Sequence, residues 1–266
     1  MLAAGRAGWF AKGVVYAVAG GLIIAVAANA SGWAKTAAAS KEASPTGAIA
    51  TVAHSTGGTV LLVLLAVGML LYAAWRLLTA TLPGRMDAAG AVHRIGYVVS
   101  AIIYTTFAIS AVALVRNSKA DQNGNRRVTD LSASVMSHTA GRLVIGLVAV
   151  IVIAVGLYRI SKGVRVDVTD EMQLSGMSAD RVRWTKRLGA IGEIGRGIGI
   201  GLVGYFMLRA AINYNADEAT GLDGALRRLA VRSSWGQVVV AIVGVGFVAY
   251  GVFCLATFTH RQLQAP

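Results

Sequence analysis

Four polar side chains stand inside long apolar stretches of this sequence: Lys12, Ser100, Glu193 and Arg196. Ionisable groups at membrane depth are costly and often mark a binding pocket, an ion path or a relay. Lys12, Ser100 and Arg196 fall at equivalent positions of an internal repeat, and Glu193 lies three residues before Arg196, so these two can pair along one helix. A polar pocket is one reading. Local pairing and snorkelling is the expectation, because each residue lies in the predicted first turns of its helix, where a long side chain reaches the headgroups. Asn29, Asn117 and Asn213 also coincide in the repeat. Asn tolerates the left-handed conformation that closes a helix, so C-capping is expected, with a ring of amides at one membrane face as the alternative.

The other reactive residue types are poorly placed for catalysis. His54, His93, His138 and His260 all lie at span ends or in loops, where none can ligate a haem between helices. His54, His138 and Arg232 precede Ser55, Thr139 and Ser233, a pattern that N-capping explains without a metal. Gly195-Arg196-Gly197-Ile198-Gly199 lacks the preceding strand of a dinucleotide loop, and Cys254 has no evident acid or histidine partner in sequence. No catalytic constellation emerges, so no enzymatic activity, cofactor or metal site is expected.

The elements that position these residues follow from composition. Only 14% of the 266 residues are charged and 56% are hydrophobic, against roughly 25% charged in a soluble domain. Spans 13–34, 95–115 and 233–259 contain no Asp, Glu, Lys or Arg, and about 20 apolar residues in a helix cross a bilayer core. The reading is an all-α polytopic membrane protein. A net charge of +13 could suggest nucleic acid, but the basic residues cluster at the ends of apolar spans, where they anchor helices and attract anionic lipid. The bilayer, including its anionic lipids, and other membrane subunits are the expected partners; nucleic acid is not. The first span, with Arg6, Lys12 and Ala28-Asn29-Ala30, has the outline of a cleavable signal, yet it is also one copy of a repeat, so retention is expected.

The stretch from Gly8 to Asn29 returns, degenerated, as Gly96 to Asn117 and Gly192 to Asn213. Each copy is followed by a polar loop and a second apolar run, which predicts three tandem two-helix hairpins with spans at about 9–29, 57–79, 94–116, 141–160, 190–212 and 236–259. The units are repeat 1 (1–80), repeat 2 (81–162), a charged linker (163–187) and repeat 3 (188–266). Gly13, Ala17 and Gly20, then Ala101, Thr105 and Ala108, then Gly197, Gly201 and Gly204 occupy matching positions on one helical face. All nine are small, and in lipid small residues let helices approach. This face should pack against neighbours, with a threefold pseudo-axis as one arrangement. Tyr72, Tyr158 and Tyr250 match in the second helices, and Ile200 replaces the tyrosine found at Tyr16 and Tyr104. Ile49 and Val52, Leu131 and Val135, and Leu222, Leu226 and Leu229 mark short amphipathic segments before each second helix. Burial of a re-entering chain is expected for them, with partner docking as the alternative.

Gly5 to Tyr16, G-R-A-G-W-F-A-K-G-V-V-Y, and Gly57 to Arg76, G-G-T-V-L-L-V-L-L-A-V-G-M-L-L-Y-A-A-W-R, resemble a prokaryotic membrane family known mainly from actinobacteria and catalogued as domain of unknown function 1206. The resemblance covers nearly the whole chain and implies three tandem two-helix repeats. Repeats 2 and 3 depart from it with His93-Arg94 and Gly189-Ala190 where repeat 1 has Gly5-Arg6. It implies no activity. An even number of spans puts both termini on one side; the short loop at Arg85 and the dense basic island favour the cytoplasmic side of the plasma membrane. The expected function is a non-enzymatic scaffold or accessory subunit of a larger membrane assembly. A small transporter or channel with a polar path between the repeats is the alternative.

Overall fold

The computed structural model describes residues 2–53, 58–81, 88–116, 124–138, 141–167 and 178–258. They form nine α-helices and no strand: α1 (Leu2–Ala30), α2 (Pro45–Ala53), α3 (Gly58–Thr81), α4 (Ala88–Arg116), α5 (Gly124–Met136), α6 (Gly141–Val164), α7 (Ala179–Asn213), α8 (Leu222–Arg232) and α9 (Ser234–Thr257). Six of these, α1, α3, α4, α6, α7 and α9, are long and apolar enough to cross a membrane. The chain is an all-α, six-span membrane protein built of three two-helix repeats. Pro45 opens α2, where its missing N–H costs nothing. The Ser233 hydroxyl accepts from Gly236 N–H and starts α9.

The long helices pack in the order α4, α3, α1, α9, α7, α6. The first helix of each repeat leans on the second helix of the repeat before it: α4 on α3, α7 on α6, and, closing the cycle, α1 on α9. Within a repeat, α1 meets α3 and α7 meets α9, but α4 and α6 share no packed face among the described residues. The result is a threefold plan left open at repeat 2. Tyr158, the counterpart of Tyr72 and Tyr250, is 63% exposed on that opening, whereas Tyr72 is 2% exposed.

The small-residue face lines these contacts. A methyl group on Gly13 would press on Leu255 and on the Gly251 carbonyl, and one on Gly20 would strike the Val248 backbone. Gly197 faces Gly156 and Ile160, and Gly204 faces Ile153 and Ala149. Ala101 and Ala108 are buried, and Ala17, Thr105 and Gly201 are half-buried. The small residues of α1 and α7 therefore face second helices of other repeats, α9 and α6, rather than one another across an axis.

Two boundaries differ from the sequence reading. The linker predicted over 163–187 is largely helical at its described ends, since α6 runs to Val164 and α7 begins at Ala179. Its charges at Asp180, Arg181, Arg183, Lys186 and Arg187 ride on a continuous extension of the fifth span. The short helices lie toward the end of the spans opposite the start of α1, α5 against α8, and α2 against α1, α3 and α4. Ile49 and Leu226 are fully buried in the main core, while Leu131 is exposed. Asp223 accepts from Ala43 N–H at 2.8 Å, which ties α8 to the loop of repeat 1.

Candidate functional site

The polar residues of α1 and α7 do not reach for the headgroups. Lys12 and Arg196 are each 6% exposed. Because α7 begins at Ala179, Glu193 and Arg196 lie four turns or more along it and not in its first turns. Of the expected snorkelling or local pairing, the Glu193–Arg196 pairing forms and the snorkelling does not: the side chains turn inward, where a carboxylate and aromatic rings take the place of water.

Lys12 Nζ sits among four aromatic rings, at 4.6 Å from Trp9, 5.2 Å from Tyr250, 5.4 Å from Tyr104 and 5.6 Å from Tyr72. The negative faces of these rings replace part of the lost hydration. Helical spacing explains why Trp9 and Lys12 share a face of α1, three residues apart. Trp9 is fixed in turn by donating its indole N–H to Thr257 Oγ1 at 3.0 Å. Arg196 lies over Tyr250 at 3.9 Å and Tyr16 at 4.8 Å. Its Nη1 also donates to Glu193 Oε1 at 3.0 Å, and Arg159 Nη1 donates to the other carboxylate oxygen at 2.9 Å. Glu193 thus bridges α6 and α7 through both oxygens. The cluster draws on every spanning helix: Trp9, Lys12 and Tyr16 from α1, Tyr72 from α3, Tyr104 from α4, Arg159 from α6, Glu193 and Arg196 from α7, and Tyr250 from α9.

Lys12, Glu193 and Arg196 therefore belong to one hub, joined through Tyr250, which both cations contact. Ser100 does not show itself as part of it; its hydroxyl donates to Gly96 O within α4 at 2.8 Å. The asparagines are not gathered either. Asn29 is exposed, Asn213 donates to both oxygens of Glu218 at 3.0 and 2.9 Å, and Asn117 lies outside the described residues. Nor do Asn29 and Asn213 provide left-handed caps: positive φ belongs to Gly32 after α1 and to Tyr214 after α7. His138 is exposed with its Nδ1 3.0 Å from Ser134 O, and His54 and His260 lie outside the described residues. Among the described residues no group of His, Cys, Asp and Glu has the placement to hold a metal. Cys254 is fully buried in the core.

Trp9, Arg159 and the hub tyrosines were not singled out as site residues by the sequence. The tyrosines stood as matched columns of the repeat, which was a usable signal. Trp9 and Arg159 lie near span ends, where aromatic and basic residues ordinarily act as interfacial anchors.

The chain was compared with known proteins. It is 30% identical over 262 residues to the uncharacterized protein YxxB of Bacillus subtilis (strain 168), an alignment covering 97% of this chain and 90% of that one. The actinobacterial setting suggested by the resemblance finds no support in this relative. No solved structure matches the chain. The pattern described as Domain of Unknown Function (DUF1206) recurs at residues 7–82, 95–166 and 191–257, which coincides with the three hairpins. By that triple match, and by its relative, the chain belongs to the DUF1206 family.

Proposed function

We propose that this protein is a non-enzymatic scaffold or accessory subunit of a plasma-membrane assembly, with both termini on the cytoplasmic side. The observation that carries the reading is the hub, in which charged side chains of α1, α6 and α7 are met by one another and by aromatic rings of α1, α3, α4 and α9. Arg196 and Arg159 share one carboxylate, and Lys12 and Arg196 are covered by aromatic faces. Such a centre locks a fixed arrangement more readily than it solvates a passing substrate. The open side of repeat 2, where α4 and α6 expose Ile102, Ile109, Leu143 and Leu147, supplies the apolar docking face that a spanning helix of another subunit needs.

A photocrosslinking residue at Leu147 tests the reading in native membranes. One adduct to a single second subunit should form, and that subunit should co-purify stoichiometrically in mild detergent. A crosslinker at Val63, on the outer face of α3, should give none. Equal labelling of many proteins from both positions would count against the proposal.

A second reading, a small transporter, is favoured by one detail. Arg159 Nε is buried without a hydrogen-bond partner among the described residues, and it lies on α6 where that helix meets α7 at Glu193. Flux in proteoliposomes that disappears on Arg159→Gln would select this reading over the scaffold.

A further inference from the structure

At the membrane face opposite the termini, a cleft of about 530 Å³ opens between the end of α7 and α8. Four arginines line it, Arg209, Arg227, Arg228 and Arg232, against the single carboxylate of Glu218. The guanidinium groups are held in place from behind. Arg209 pairs with Glu218 at 3.2 Å; Arg227 is turned to the repeat 1 loop, donating to Asp223 at 2.8 Å and to the carbonyls of Ala39 and Lys41 at 2.8 and 2.6 Å; and Arg228 donates to the carbonyls of Asp217 and Glu218 at 2.8 and 2.9 Å while lying 5.6 Å over Phe206. Arg232 is exposed at the last turn of α8. Counting Asp223 with Glu218, positive charge exceeds negative by two around the cleft, and the donors of Arg232 and the remaining N–H groups of Arg209 and Arg228 can address phosphate oxygens.

We propose that this cleft binds the phosphodiester headgroup of an anionic lipid. Two features favour a lipid over free phosphate. Phe206 and Arg209 lie in the last turns of a spanning helix, the level at which headgroups sit. The accessible lining is also mainly apolar, through Phe206, Val231 (84% exposed) and the arginine stems, and Trp235 three residues after Arg232 is 81% exposed. An acyl chain and glycerol backbone have use for such a rim, whereas inorganic phosphate has none. The inference stands independently of the scaffold reading.

The test is titration of the purified full-length protein in neutral detergent with phosphatidylglycerol, phosphatidylcholine or inorganic phosphate, followed by native mass spectrometry and thermal denaturation. Phosphatidylglycerol should bind and raise the melting temperature, and phosphatidylcholine should not. The pair Arg228→Gln and Arg232→Gln should weaken phosphatidylglycerol binding about tenfold, as expected for loss of charge-assisted contacts. Arg181→Gln with Arg183→Gln, on the opposite face, should leave it unchanged. Arg228→Lys with Arg232→Lys keeps the charge and removes the fork, so a several-fold loss should persist in a variant that folds. Unchanged affinity in the lysine pair, an equal loss in the opposite-face control, or saturation by inorganic phosphate with equal affinity would each overturn the proposal.

Discussion

A lysine enclosed by aromatic rings and a carboxylate shared by two arginines meet the same cost in different ways. Lys12 exchanges part of its hydration for four ring faces, so much of what surrounds its charge is polarisable aromatic surface. Glu193 is the counter-charge that Arg196 and Arg159 both use, so losing it leaves two cations facing each other in a poorly solvated interior. Glu193→Gln should therefore destabilise the protein by about 3–5 kcal/mol. Lys12→Met, which refills the cage with a flexible apolar chain, should cost about 2 kcal/mol. Thermal denaturation of the full chain in detergent checks the ranking; equal losses would mean that the hub works only by filling space. Sequence alignment of the repeats made Lys12 and Arg196 legible, because their column, which includes Ser100, is polar within an apolar span, and Glu193 was legible from its spacing of three to Arg196. It could not say whether they turned inward or outward, since that depends on which tyrosine columns converge on them from other repeats.

At the scale of helices, glycine decides how closely the spans approach. A Cβ on Gly195 would come within 2.6 Å of the Gly246 Cα, backbone against backbone, so neither α7 nor α9 could yield by a rotamer change. By contrast, a Cβ on Gly21 meets nothing within 4 Å. Gly195→Ala should cost about 1–3 kcal/mol, while Gly21→Ala should be neutral or stabilise α1 by about 0.5 kcal/mol. Comparing the two melting temperatures separates close packing from helix propensity, since propensity alone would make both substitutions favourable. The small-residue stripe was readable from its period of three and four, and the spans from their apolar length. The identity of each stripe's partner was not: nothing in the periodicity of α1 says that it meets α9, at the far end of the chain, as closely as α4 meets α3.

Considered as one molecule, the protein has two unlike faces. One carries the start of α1 and the charged extension of α7; the other carries α2, α5, α8 and the arginine cleft. Sequence alone gave the even number of spans and hence the shared side of the termini, while the packing of α5 against α8, and of α2 against α1, α3 and α4, emerged only in space. The cytoplasmic placement proposed for the termini rests on charge placement. Arg181, Arg183, Lys186 and Arg187 form a dense basic run directly before the fifth span, and such runs are retained in the cytoplasm during insertion. The arginines of the opposite face are spread over α8 and the helix ends, and Arg209, Arg227 and Arg228 are engaged by carboxylates or carbonyls of that face. A single-cysteine experiment decides between the two orientations, because the natural thiol of Cys254 is fully buried and should remain silent. Arg183→Cys should react with a membrane-impermeant maleimide only after the cells are opened, and Asp217→Cys should react in intact cells. Both positions are exposed, so accessibility does not distinguish them and only sidedness can. The reverse pattern would place the termini outside and would turn the arginine cleft toward the cytoplasmic leaflet.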